Sequence, residues 1–243
     1  MTARHLTIVA TLTLLIGAMA LSQDPGAIEF DHTFGGGTAT LWQANLSGLN
    51  RALAAADYPE LSHGVLLFGQ TKTIGFRGGP RLGFSMTGGS TASYNDERIA
   101  RLTFTFGGGL LEWGVSTEPD LGLALGLLLG GGYATLTLVD HEPTSFEDAL
   151  LAPFRAKLDQ WLYAIEPSLV AYGRPLPGIT IRLRAGLLLT MGCKWKAEEI
   201  AYRYPMAAFS GPSAEVSIMV NLEEIIAEML GDVEVGAPDQ LSP

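Results

Sequence analysis

The chain has 243 residues, a formal net charge of −10 from 15 Lys and Arg against 25 Asp and Glu, and a single cysteine, Cys193. That charge argues against nucleic acid as a partner, because binding would bring like charges together, and one thiol excludes an intrachain disulfide. Apolar residues make up 47% and charged residues 16%, too greasy for a disordered chain and sparse in charge for a fully solvated surface.

Residues 1–20 have the form of a secretory signal peptide. Arg4 precedes an uncharged, mostly apolar run from Leu6 to Ala20, which exits through Ala18-Met19-Ala20 into the polar Ser22, Gln23 and Asp24. A membrane-spanning helix needs roughly 20 apolar residues, so this run is short for one. Export is therefore expected, with a single β-rich domain over 21–221 and an amphipathic helix and acidic tail over 222–243. Without Arg4 the remainder carries 14 basic residues against 25 acidic ones, a net charge near −11. Cys193 lies far from the exit site, which argues against a lipid-bearing N-terminal cysteine, and it reads as a buried or incidental thiol.

Asn45 or Ser47 is placed to cap a helix in which Leu46, Leu49 and Leu53 repeat at helical spacing, with Tyr58-Pro59 ending it. Leu66 and Phe68 begin a strand that Gln70 and Lys72 interrupt. Leu82, Phe84 and Met86 then alternate with Arg81, Gly83 and Ser85, and Leu102, Phe104 and Phe106 alternate with Arg101, Thr103 and Thr105. Gly107-Gly108-Gly109 separates this last strand from one carrying Leu111, Trp113 and Val115. From Leu121 to Leu129 both faces are apolar or small, which predicts a central strand covered on both sides. Gly130, Gly131 and Gly132 predict a turn or bulge before a partner strand bearing Leu136 and Leu138, and glycine on one face of a strand also lets another layer or a neighbouring backbone approach closely.

Ser145 and Asp148 resemble a capping box ahead of Leu150 and Leu151, with Pro153 limiting that helix. Ile179, Ile181, Leu183, Ala185, Leu187 and Leu189 share a face opposite Thr180, Arg182, Arg184 and Thr190. Val216, Ile218 and Val220 oppose Glu215, Ser217 and Asn221. A final helix, capped by Asn221 and Glu224, carries the stripe Leu222, Ile225, Ile226, Met229 and Leu230, a candidate surface for self-association.

The predicted fold is all-β, mainly antiparallel, with about ten strands in a sandwich or barrel-like arrangement and two or three short covering helices. An outer-membrane barrel is the competing arrangement. In its favour, Trp161 and Tyr163 stand about nine residues before Tyr172, close to the ~9–11 residues of a membrane-crossing strand. Against it stand Pro167, which in a closed barrel would call for a bulge, the missing terminal aromatic strand, and the absence of a polar face on Leu121–Leu129. On balance the leucine faces are expected to hide in a core covered by helices.

Catalytic constellations are thin. Asp140-His141-Glu142 places three candidate metal ligands in a row, but consecutive side chains diverge and no second histidine sits at helical spacing. No cofactor, metal or catalytic residue is therefore assigned. Arg182 and Arg184 share one polar face and Arg101 lies on another strand, a candidate strip for an anionic group. Pairing with Glu97, Glu112, Glu166 or Glu215 is the plainer reading. Lys194-Trp195-Lys196 with Arg203-Tyr204 is a basic, aromatic stretch able to stack on a glycan or to cover a sheet edge.

The order of segments resembles that of a group of uncharacterised exported glycine-rich β proteins of bacteria. The likeness rests on Leu49-Asn50 to Tyr58-Pro59, Gly107-Gly108-Gly109-Leu110-Leu111-Glu112, Leu127 to Gly132, Ala164-Ile165-Glu166-Pro167, Ile181-Arg182-Leu183-Arg184-Ala185-Gly186 and Phe209-Ser210-Gly211-Pro212. It is weaker toward outer-membrane β-barrels. The resemblance implies a fold class and brings no activity or binding residue with it. The expected role is that of a non-catalytic component of the periplasm, cell surface or extracellular space, with an envelope partner or a second copy of itself. An outer-membrane barrel, small channel or structural, is the alternative, and a secreted hydrolase built on Asp140, His141 or Glu166 comes third.

Overall fold

A computed structural model describes residues 30–31, 35–76, 80–114, 121–140, 155–197, 200–201, 209–221 and 225–226. Its strands are β1 (Phe30–Asp31), β2 (Gly36–Gln43), β3 (Gly64–Phe76), β4 (Pro80–Tyr94), β5 (Arg98–Gly114), β6 (Leu121–Asp140), β7 (Arg155–Leu176), β8 (Ile179–Gly192), β9 (Lys196–Ala197), β10 (Ile200–Ala201) and β11 (Gly211–Val220), with one helix, α1 (Ser47–Ala55). All pairings are antiparallel. Strands β2 to β8 each pair with the next, β8 pairs with β11, and β11 pairs back onto β2. The all-β antiparallel expectation holds, and of the two arrangements foreseen it is the barrel that forms, closed by eight strands.

Register fixes the shape. A row of paired residues followed from Met191 through Tyr163, Gly131, Gly107, Met86, Gln70, Gly37 and Ile218 returns to β8 at Ile181, ten residues from where it began. Eight strands staggered this far tilt by about 40° from the barrel axis, and side chains alone can fill so narrow an interior.

Side chains alternate strictly between lumen and exterior, but the chemistry of the two faces inverts along the barrel. At the end bearing the connection from β2 to β3, Leu102, Phe104, Leu136 and Leu162 point inward and are buried, while Arg101, Thr105 and Lys157 are exposed outside. Nearer the other end, Leu125, Leu129, Ile165, Leu183, Leu189 and Ile218 point outward and are 43–56% exposed, while Glu112, Arg182, Arg184 and Glu215 are buried inside. The expectation that every leucine face hides in a core is thereby corrected. Leu102 and Phe104 face inward, and Ile181 and Leu183 face outward.

The glycine triplets mark this inversion. Gly107↔Gly131 and Gly108↔Gly130 are directly paired, within strands that run unbroken through both triplets, so neither triplet is the predicted turn or bulge. Apolar side chains occupy inward positions on one side of the triplets and outward positions on the other. A Cβ on Gly130 would lie 2.2 Å from the Gly107 carbonyl oxygen, and one on Gly132 would lie 1.8 Å from that of Thr105. Only glycine lets these strands coil so tightly together. The run Leu121–Leu129 is also not covered on both faces: Leu121, Leu123, Leu125 and Leu129 are exposed outside, over an inner face of Gly122, Ala124, Gly126 and Leu128. Gln70 and Lys72 do not interrupt β3, which continues to Phe76.

Pro167 is accommodated without a bulge. Pairing between β7 and β8 stops at Ile165↔Leu189 and resumes in the same register at Ser168↔Gly186, while Pro167 stays paired with Leu127 on its other side. The proline's missing N–H costs a short gap in one ladder.

Helix α1 forms where expected, yet its N-cap is Leu46 and no side chain caps it; the Asn45 carboxamide accepts instead from the Ser47 N–H at 3.2 Å. Leu46 and Leu53 are buried in the apolar end of the barrel, where Trp42 packs edge-on against Phe104 at 4.9 Å and Phe104 against Phe209 at 5.3 Å. Asn50 is also buried. It both donates to the Leu61 carbonyl (2.9 Å) and accepts from its N–H (3.0 Å), which ties α1 to its exit segment. Among the described residues α1 is the one complete helix. The predicted helix at Ser145 lies outside the described residues, and of the terminal stripe only Ile225 and Ile226 are described, both helical. Leu222, Met229 and Leu230 lie outside them.

Candidate functional site

Inside the apolar-belted part of the barrel, inward positions of five strands converge on one buried ionic network. The Arg182 guanidinium on β8 donates to Glu112 on β5, through Nε at 2.9 Å and again through Nη2, and to Glu215 on β11. Arg184, two residues along the same inward face, donates to the other oxygen of Glu215 and lies 3.3 Å from Glu166 on β7. Tyr172 donates its hydroxyl to Glu112, and its ring carries the Arg81 guanidinium from β4 at 4.5 Å. Ser217 donates to Glu215 at 2.9 Å and Ser213 to Glu166 at 2.6 Å. Three carboxylates therefore face three guanidinium groups. Charges taken out of water must be paired and hydrogen-bonded to persist; the three glutamates, Arg182 and Arg184 are all ion-paired, while Arg184 Nε and Nη1 lack hydrogen-bond partners.

Local sequence explains the convergence. Arg182 and Arg184 lie two apart, so the strand period puts both in the lumen, and the register sets Arg184 beside Glu215 and Val170. Gly186 leaves room for Glu166, whose Oε1 would be 2.8 Å from a Cβ there. Of the candidate anion strip, Arg182 and Arg184 come together with partners foreseen for them. Arg101 does not join: it stands on the outer face of β5, exposed beside Thr137 and Ala92. The network can cross-brace and fill the lumen. Its cations are engaged by the protein's own carboxylates, which leaves little to recruit an anionic ligand.

A second cluster sits at the opposite, apolar-lined end. Arg98 opens β5 and donates to the Ala56 carbonyl at 2.7 Å, with Asp140 at 3.3 Å, Asp57 at 3.7 Å and the Tyr58 ring 5.1 Å beneath it. Tyr58 donates to Asp140 at 2.5 Å. Burial, then this bond and the Asp140 charge, push the Tyr58 phenol up to about 12, with Arg98 pulling the other way. Asp140 is thus absorbed in a structural contact, while His141 and Glu142 lie outside the described residues. Among the described residues no three candidate ligands gather as a metal site. Behind the cluster, Leu49, Leu53, Leu136, Leu138, Leu158 and Trp195 line an apolar recess of about 330 Å³. Trp195, read from sequence as part of a basic-aromatic stretch, is buried and packs on Phe209, while Lys196 pairs with Asp159 of β7. Cys193 is free and half-buried.

Sequence reasoning missed Tyr172 and Arg81 as members of the lumen network, and the recess altogether. Parity was the available signal for the first: Tyr172 falls in phase with Glu166, Ser168 and Val170. The recess joins α1 to two distant strands, β6 and β7, and to Trp195, and leaves no local pattern. No family model matches the chain, and no curated protein matches it in sequence.

Proposed function

We propose that this chain is an exported, non-catalytic outer-membrane β-barrel whose lumen is closed, a structural barrel in preference to a channel. The single observation behind this reading is the outward belt of leucine, isoleucine and aromatic side chains around a polar, charge-paired lumen, broken on β3 by the exposed Gln70 and Lys72. Soluble monomers rarely expose apolar patches beyond a few hundred Å², whereas membrane barrels carry an apolar band about 25 Å tall between aromatic girdles. On β7 the band runs from Trp161 to Ala171. Ten steps at about 3.3 Å, tilted by about 40°, span about 25 Å. Trp161, with Tyr133 packed edge-on at 4.4 Å and Tyr163 beside it, supplies one girdle.

Other features agree with the reading. The connections at 77–79, 115–120 and 177–178 are all short, whereas at the other end those at 44–63, 141–154 and 193–210 are long and 95–97 alone is short, an asymmetry of the kind such barrels show. Arg182 and Glu112 are 0% and 1% exposed, so the ionic network fills the lumen instead of lining an aqueous path. The signal-like residues 1–20 supply the route of export. Fractionation tests the proposal. The chain is expected in a membrane pool resistant to alkaline carbonate, to need detergent for solution, to run faster on a gel before heating than after, and to pass no steady current in a planar bilayer. Recovery in a soluble pool without detergent refutes the membrane reading, and a steady conductance refutes the closed lumen.

A further inference from the structure

We propose that the recess between α1 and the inner faces of β6 and β7 is a binding site for a small, uncharged apolar molecule. Its volume of about 330 Å³ falls within the roughly 300–1,000 Å³ of ligand pockets. Its lining is hydrocarbon and indole, with Tyr58 the one polar-tipped residue in the wall, and that hydroxyl is already committed to Asp140. Water gains few hydrogen bonds against such a lining, which favours its replacement by an apolar guest. Because a water occupies about 30 Å³ in the liquid, the recess suits a guest of about ten heavy atoms.

Position and charge narrow the class. The recess lies at the level of Thr135, Thr137, Asp159 and Lys157, where the barrel's exterior is polar. On the membrane reading this is beyond the aromatic girdle, so bilayer chains do not reach it from the side. Beside the lining residues Ala56 and Tyr58 stand two carboxylates, Asp57 and Asp140, against the one guanidinium of Arg98, which is engaged by both and by the Ala56 carbonyl. Surplus negative charge at the rim disfavours fatty-acid-like anions and leaves neutral hydrocarbon or aromatic molecules.

Naphthalene, with ten carbons, is a suitable probe, and Trp195, 4% exposed in the wall, is a built-in reporter. Naphthalene added to the full chain in lipid nanodiscs is expected to change tryptophan emission saturably. The change should be absent from Trp195→Phe and reduced at least tenfold in affinity in Ala52→Phe or Ala156→Phe, which fill the recess from opposite walls. Heat-dependent gel mobility identifies which variants are folded. 2-Naphthoate should bind at least tenfold more weakly than naphthalene. A non-saturable change, equal binding by two folded filling variants, or equal binding of 2-naphthoate would overturn the site. Saturable binding by a chain that proves soluble without detergent supports the site and sinks the membrane reading alone.

Discussion

Arg182 touches two carboxylates from two strands and has no exposed surface. Replacing it with methionine removes the ion pairs it makes with buried Glu112 and Glu215, and breaking a buried pair this way costs roughly 3–5 kcal/mol. Urea titration of the folded barrel should show that loss as a lowered midpoint, while Arg101→Met, on the exposed outer face, should shift it by less than about 0.5 kcal/mol. Tyr58 gives a second test. Its raised pKa means that folding favours the neutral phenol. This contribution is complete below the ordinary value near 10 and is lost as pH rises through about 12. Absorbance titration should show one tyrosine ionising at about 12 that is missing from Tyr58→Phe. Asp140→Asn, which removes the carboxylate charge, should bring that ionisation down toward 10.

At the scale of an element, paired glycines permit two long strands to remain continuous while their apolar faces exchange. Gly130→Val places a branched side chain where a Cβ already lies 2.2 Å from backbone oxygen, so the strands must part. The expected result is failure to form the faster-migrating gel species. Gly109→Ala is the control. It points outward, its Cβ meets nothing closer than 4.0 Å, and folding should be unchanged or slightly improved. Period-two alternation was legible in the sequence for most barrel strands, because it needs only the pleat. The glycines read both as turns and as points of close backbone approach, because the two select the same residue for different reasons, and only the second holds. Pro167 read as an obstacle because sequence does not show that its second neighbour, Leu127, keeps the strand in place.

For the whole molecule, the belt sets the energetic test. Leu129→Arg places a charge within the apolar band and should cost about 2–4 kcal/mol of folding stability in bilayers, whereas Thr137→Arg, beyond the girdle, should cost about 0–1 kcal/mol. Denaturant midpoints in vesicles measure both, and equal costs would place the band wrongly. The candidate site was partly legible at this scale too. Glu112, Glu166 and Glu215 were foreseen as partners for the arginines because an acidic chain with inward cations has few other ways to satisfy them. Which carboxylate met which arginine depended on a ten-residue stagger that no local pattern records.

Composition and alternation by themselves determined an antiparallel all-β chain, the start of α1, and the pairing of Arg182 and Arg184 with carboxylates. All of these follow from side-chain chemistry and nearest-neighbour geometry. Which face of each strand meets the lumen was decided only when β11 closed onto β2. Closure fixes curvature, curvature defines inside and outside, and only then does a leucine at an odd or an even position belong to a core or to a belt.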